Sequence, residues 1–141
     1  MHLTAHTDYA LRILLHAALT AAEDPQALLS IAEVAAAHRI SRNHAMKVVN
    51  ELGNAGLLET VRGRGGGFRL GRPAGEIRLG DVVRLTEPNL QPADCDNCIM
   101  RRHCGLIPSL DRAIHAFLAE LDKQTLAQAA VESRLPIPAT L

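Results

Sequence analysis

The chain of 141 residues has few aromatic side chains: two Phe, one Tyr and no Trp. A core must therefore be built from Ala, Leu, Ile and Val, which suits one domain of closely packed helices. No run of about 18 apolar residues occurs, so the sequence predicts no membrane-spanning segment. The first residues lack the charged and apolar regions of a signal peptide, and we expect a cytoplasmic protein.

Cysteine is also scarce, with three residues in the whole chain. An odd count without a signal peptide argues against a disulfide framework. All three cysteines fall in one polar segment as C-x2-C-x5-C, at Cys95, Cys98 and Cys104. Three thiolates are one ligand short of a tetrahedral zinc site or of a four-ligand iron–sulfur cluster. Spacing alone leaves open an iron–sulfur cluster, a zinc site completed by His103, and a thiol redox switch between Cys95 and Cys98.

The net charge is zero, but the charges are unevenly distributed. Residues 39–72 hold seven basic and two acidic side chains. The rest of the chain is correspondingly acidic. A neutral protein with one basic block can still bind a polyanion through that block.

Two short helices with a tight connection are predicted in and before the basic block. Ser30 with Glu33 forms an S-x-x-E capping box, and Ser41 caps the next helix. The apolar face of that second helix consists of Ala45, Val48, Val49 and Leu52. Its opposite face shows Arg42, Asn43, Met46, Lys47 and Asn50. Short helices joined in this way indicate a helix-turn-helix.

A basic hairpin is predicted directly after these helices, from a strand near residues 57–62, a glycine-rich turn and a strand near 68–70. A β-hairpin that directly follows a helix-turn-helix is called a wing. The N-terminal residues of a recognition helix reach base edges in the major groove, so we predict sequence readout by Arg42, Asn43 and His44. Phosphate or minor-groove contacts are predicted for Lys47, Arg62 and Arg64. The alternative is a solvated charged face without a ligand.

The predicted architecture is mainly α, a winged helix-turn-helix with a β-hairpin wing and a long C-terminal dimerisation helix. We assign residues 1–75 to the DNA-binding region and 76–131 to the cysteine loop and dimerisation helix. Residues 132–141 form a C-terminal tail. The long helix, from Pro108 to about Gln124, carries a wide apolar stripe, and helix-turn-helix proteins usually act as two-fold dimers.

Several segments resemble the iron–sulfur winged-helix transcription repressors that include NsrR and IscR. They are Leu3-Thr4, the stretch TDYALR at 7–12, SRNH at 41–44 with Lys47, VRGRGGG at 61–67 and IRLGDVV at 77–83. The SRNH stretch and FLAELD at 117–122 point to the NsrR branch, which senses nitric oxide. The resemblance covers about residues 1 to 131.

The resemblance implies a homodimeric repressor of a double-stranded DNA operator, and not an enzyme. Its iron–sulfur cluster would sense nitric oxide, with DNA release on cluster nitrosylation or loss. The implied ligands are Cys95, Cys98 and Cys104 of one subunit and Asp8 of the other, around a 4Fe–4S cluster in preference to 2Fe–2S. The family usually has a longer spacing between the first two cysteines than the two residues found here.

The sequence also permits other interpretations. Asp8 and Arg12 have the i, i+4 spacing of an ordinary surface ion pair. A repressor of the same fold could sense iron, iron–sulfur status or redox state instead of nitric oxide. A thiol oxidoreductase using Cys95 and Cys98 is weaker, because no βαβ pattern surrounds the motif. A zinc-site protein is the remaining alternative.

Overall fold

A computed structural model describes residues 1–133. Over this range the elements are α1 (Ala5–Glu23), α2 (Ile31–His38), α3 (Arg42–Asn54), β1 (Leu58–Val61), β2 (Gly67–Leu70), α4 (Leu79–Thr86), α5 (Ile107–Asp122) and α6 (Leu126–Glu132). The mainly α winged helix-turn-helix prediction is confirmed. The tail predicted at 132–141 lies, from residue 134 onward, outside the described residues. Among residues 1–133, no helix has the length and apolar character needed to cross a membrane.

The helix-turn-helix is set by side-chain caps and one sharp turn. The Ser30 Oγ accepts a hydrogen bond from the Glu33 backbone N–H at 3.0 Å, and the Ser41 Oγ accepts one from the His44 N–H at 3.2 Å. Between α2 and α3, Arg39 takes a left-handed conformation with φ of 56°. This conformation, which few non-glycine residues adopt, turns the chain sharply and brings α3 across α2.

The wing is tied to the body of the protein by its second strand. β1 and β2 pair antiparallel from Leu58 opposite Leu70 to Val61 opposite Gly67. Phe68 is buried and exchanges two 2.8 Å backbone hydrogen bonds with Leu29, just before α2. A Cβ at Gly67 would lie 2.3 Å from the Leu29 carbonyl oxygen, so this close approach requires glycine.

One core holds the elements together, with α1 at its centre. The buried apolar residues of α1 include Ala10, Ile13 and Leu14. They belong to the same hydrophobic cluster as residues from α3, α4 and α6, namely Val48, Leu52, Val82 and Leu126. The chain leaves this core along α5 and returns to it with α6, whose first N–H, on Leu126, donates to the Ile77 carbonyl at 2.7 Å. Thr125 and Gln128 form a capping box at the start of α6.

The end of α5 is clamped to α4 by an ion pair. Both Arg84 terminal nitrogens donate to the Asp122 carboxylate, each at 2.7 Å. This hydrogen bonding lowers the pKa of Asp122 and raises the pKa of Arg84. A Cβ at Gly80 would lie 1.8 Å from the Asp122 Oδ1, so the absence of a side chain lets the helices approach. The clamp positions α5 relative to α4 and the core.

Two histidines join α1 to the end of α2. His16 is buried and His38 half-buried, with 2.9 Å between His16 Nδ1 and His38 Nε2. Burial lowers the pKa of His16, and the neighbouring charge of His38 lowers it further. Burial and then the Arg12 charge lower the pKa of His38, against a smaller opposing effect of Asp8. Both rings therefore favour the neutral state in the folded protein.

We expect this pair to make the fold less stable in acid. Since the folded pKa of each ring lies below the ordinary value of 6.5, the unfolded chain binds more protons as the pH falls below that value. The free energy of unfolding should therefore decrease from about pH 6.5 downward and level off below the folded pKa values. Urea midpoints measured across this range check the prediction.

The matched control for this prediction is His115, an exposed histidine on α5. His16→Gln should flatten the dependence of the urea midpoint on pH, whereas His115→Gln should preserve the wild-type slope. Equal slopes in wild type and His16→Gln would show that the pair carries no such effect.

Candidate functional site

The predicted DNA-contacting residues are divided between α3 and the wing. Arg42, Asn43 and Lys47 are exposed on α3. Arg62 and Arg64 are exposed in the turn between β1 and β2. The structure therefore presents a recognition helix and a basic hairpin tip, each with charged side chains in contact with solvent. Such an arrangement can neutralise phosphates on both sides of a groove.

Nearby arginines have partners within the fold and are less suited to an external ligand. Arg69 Nε donates to the Glu59 Oε2 across the two strands at 3.0 Å. Arg72 donates to the Ala55 carbonyl at 3.2 Å, at the C-terminal end of α3. In contrast, Arg62 and Arg64 form no ion pair with any residue of the described range 1–133.

His44 has a different environment from its neighbours Arg42 and Asn43. It is half-buried, with its ring centroid 4.7 Å from that of Tyr9 and 5.7 Å from that of His6. His6 also contacts the carboxylate of Glu51, so two α3 side chains are held by α1. The structure thus places His44 on the flank of α3 that packs against α1. Its predicted base contact stays a prediction.

The cysteine loop, residues 87–106 between α4 and α5, is held by its own backbone turns. The Cys98 N–H donates to the Cys95 carbonyl at 3.3 Å, and the His103 N–H donates to the Met100 carbonyl at 2.9 Å. Cys95 and Cys104 are half-buried and Cys98 is exposed, with all three thiols free. An ion pair at 3.1 Å between Asp96 and Arg101 is also local to the loop. The thiols are thus carried by a segment with little apolar cover.

The donor chemistry of this loop fits an iron–sulfur cluster, since cysteine thiolates are the usual ligands of such clusters. Within residues 1–133 of the single chain, no three His, Cys, Asp or Glu side chains converge as metal ligands. A single chain therefore does not assemble Asp8 with the cysteines.

Asp8 lies on the first turns of α1 and pairs with Arg12. The Asp8 Oδ2 is 2.7 Å from Arg12 Nη2, and the Asp8 Oδ1 accepts from Arg12 Nε at 2.8 Å. Both side chains are about half exposed to solvent, at 42% and 48%. The single chain therefore contains the Asp8–Arg12 ion pair that the spacing indicated, and the Asp8 carboxylate stays accessible to solvent.

Sequence reasoning missed a polar cluster that joins α1 to the start of the cysteine loop. Glu87 follows α4 directly, and its Oε2 accepts from the Thr4 N–H at 3.0 Å and from the Thr7 hydroxyl at 2.6 Å. Burial opposes ionisation of Glu87, but the hydrogen bonds from Thr7 and Thr4 outweigh it and lower its pKa. The available signal was the pair of threonines that open α1, Thr4 at the N-cap and Thr7, whose hydroxyls can donate to a carboxylate.

Comparisons with known proteins agree with this arrangement. The family profile described as Rrf2, "Iron-dependent Transcriptional regulator", matches residues 3–132. The chain belongs to the Rrf2 family. As a member it is a transcription regulator and not an enzyme. Its predicted resemblance to the iron–sulfur winged-helix repressors is confirmed at the level of the family.

Individual relatives support the assignment of the chain to the Rrf2 family. The HTH-type transcriptional regulator NsrR of Bacillus subtilis (strain 168) is 45% identical over 131 residues, which are 89% of this chain and 88% of that protein. The oxidized form of Staphylococcus aureus CymR superposes with a TM-score of 0.75 at 27% identity, covering 96% of this chain and 100% of that one. T. potens IscR, at 21% identity, shares the fold with a TM-score of 0.77 over 95% of this chain and 89% of its own.

Proposed function

We propose that this Rrf2 regulator is a homodimeric, DNA-binding repressor of the cytoplasm that uses an iron–sulfur cluster to sense nitric oxide. The observation that carries the proposal is the set of three free thiols on one exposed loop, in a chain 45% identical to an NsrR. Cys95, Cys98 and Cys104 of one subunit and Asp8 of the other would hold the cluster, with 4Fe–4S favoured over 2Fe–2S. When bound, the cluster supplies iron that nitric oxide can attack.

The apolar surface of α5 supports a dimer. Leu118 is buried, but the other large apolar residues of the helix keep part of their surface exposed, namely Ile107, Leu110, Ile114, Phe117 and Leu121. In the loop before this helix Ile99 is fully exposed, and Leu106, which directly precedes the helix, is 68% exposed. Apolar surface of this extent is typical of a face that a second subunit covers.

A continuous set of contacts supports communication between the loop and the recognition helix. Glu87, at the start of the loop, binds Thr4 and Thr7 in the first turn of α1. From α1, His6 contacts Glu51 and Tyr9 packs on His44, both on α3. A change in the loop that moves Glu87 would thus reach α3 through a single rigid helix. Repression would end when this contact chain no longer holds α3 in its DNA-binding orientation.

Visible absorbance and DNA binding, measured together, test the proposed function. We expect anaerobically purified protein to be brown, to bleach on addition of nitric oxide, and to lose affinity for its selected DNA in proportion to the bleaching. The DNA probe is a duplex that wild-type protein enriches from a randomised pool. A colourless protein that contains zinc, or bleaching with unchanged DNA affinity, would contradict the proposal.

A repressor that senses iron or iron–sulfur status is the second candidate. The family description, "Iron-dependent Transcriptional regulator", favours it. Here DNA affinity should follow iron supply, so removal of iron by a chelator would release DNA while nitric oxide added to the iron-loaded protein would not. The same two measurements therefore separate the candidates.

A further inference from the structure

The outermost face of α3 is a stripe of polar side chains that extends beyond its first turn. Asn43, Lys47, Asn50 and Asn54 follow one another at intervals of four, three and four residues and are all exposed. This spacing places them in one line along a helix. They lie opposite the buried side of α3, which consists of Ala45, Val48, Val49 and Leu52.

Other elements of the protein contact parts of both flanks of this α3 stripe. On one flank, His44 packs against Tyr9, and Glu51 contacts His6. On the other flank, Gly53 faces the wing, because a Cβ at this position would lie 3.6 Å from the Thr60 Cγ2. A ligand can therefore approach α3 along this stripe, and beside it at Arg42 and Met46, which are also exposed.

Asn50 and Asn54 lie at different distances from the N-terminal end of the α3 stripe. With a rise of 1.5 Å per residue, Asn50 lies about 10 Å and Asn54 about 16 Å along the axis from Asn43. The major groove is about 12 Å wide, and a recognition helix enters it with its N-terminal part. Asn50 lies closer to this part than Asn54, the last residue of α3, and is the better placed of the two to reach the bases.

We propose that Asn50, in addition to the residues already predicted to do so, reads a base edge in the major groove. The inference rests on the proposed DNA-binding function. A carboxamide donates one hydrogen bond and accepts another, which matches the adenine N6 and N7 atoms in the major groove. Asn50 carries this pair of groups without a charge, and Lys47 beside it supplies the attraction to phosphate.

The test compares base preferences selected from a pool of duplexes with a randomised centre, using anaerobically purified full-length proteins. Asn50→Ala should lose discrimination at one base pair of each half-site, by about 5- to 150-fold between preferred and other bases. Asn54→Ala is the matched control on the same face and should keep every base preference. Because both residues are exposed, thermal unfolding should be nearly unchanged in either variant.

The outcomes distinguish a failure of base reading by Asn50 from a failure of the proposed DNA-binding function, on which this role rests. If wild-type protein selects no sequence at all, the proposed DNA-binding function fails. If wild type selects a sequence and Asn50→Ala selects the same one with equal discrimination at every position, Asn50 does not read bases. Equal weakening of selected and random DNA by Asn50→Ala would likewise overturn the inference, since it indicates a phosphate contact.

Discussion

Anaerobically purified Cys104→Ala protein is expected to be colourless and to have lost control of DNA binding by nitric oxide. Removal of one thiolate leaves two cysteines, too few to retain a cluster that already depends on a non-cysteine ligand. Cys98→Ala should behave in the same way. The expected effect is the loss of essentially all visible absorbance and of bound iron, measured by absorption spectroscopy and metal analysis.

His103→Ala is the control for this prediction, because His103 is exposed and adjoins Cys104 in the same loop. An iron–sulfur site should keep its colour in this variant, whereas a zinc site that uses His103 would lose its metal. Cys95→Ala addresses the shortened spacing before Cys98, and we expect it to be colourless too. Retention of full colour by Cys104→Ala would contradict the proposed ligand set.

The elements of this fold that could be predicted from sequence depend on interactions over a few residues. Ser30 and Ser41 cap α2 and α3 as predicted, because a cap and the N–H groups it satisfies lie within four residues of each other. Apolar residues at helical spacing together with local caps are sufficient to place these segments.

The contacts between elements could not be predicted, because their partners lie far apart in sequence. Glu87 and Thr4 are separated by 83 residues, and Arg84 and Asp122 by 38. In sequence, Glu87 is a charge at the end of a helix and has the pattern of a solvated side chain. Its role follows only from the packing of α4 against α1, which depends on the whole core.

The candidate site shows the same division between local and distant effects. The exposed arginines of the wing follow directly from a turn of glycines and charged residues. The environment of His44 does not, since helical spacing places it beside the buried face of α3 but does not say which element packs there. The Tyr9 and His6 rings on α1 decide its orientation, and they lie on a helix far earlier in the chain.

Asp8→Ala protein should fold and dimerise normally but show an altered cluster spectrum and an altered rate of reaction with nitric oxide. A carboxylate is a poorer match to cluster iron than a thiolate, so the iron that Asp8 would bind is the one most open to displacement. Asp8→Cys should therefore slow the reaction. Stopped-flow absorbance of anaerobic protein mixed with nitric oxide measures both changes.

Arg12→Ala is the decisive control, since it breaks the same ion pair and leaves the Asp8 carboxylate in place. An exposed i, i+4 pair contributes only about 0.2–0.5 kcal/mol to stability, so both variants should unfold at nearly the wild-type temperature. If Asp8 is a ligand, Asp8→Ala alone changes the spectrum and the nitric oxide kinetics. If both variants keep the wild-type spectrum and kinetics, Asp8 is an ion-pair residue, and the fourth ligand must come from His103, Asp94 or solvent.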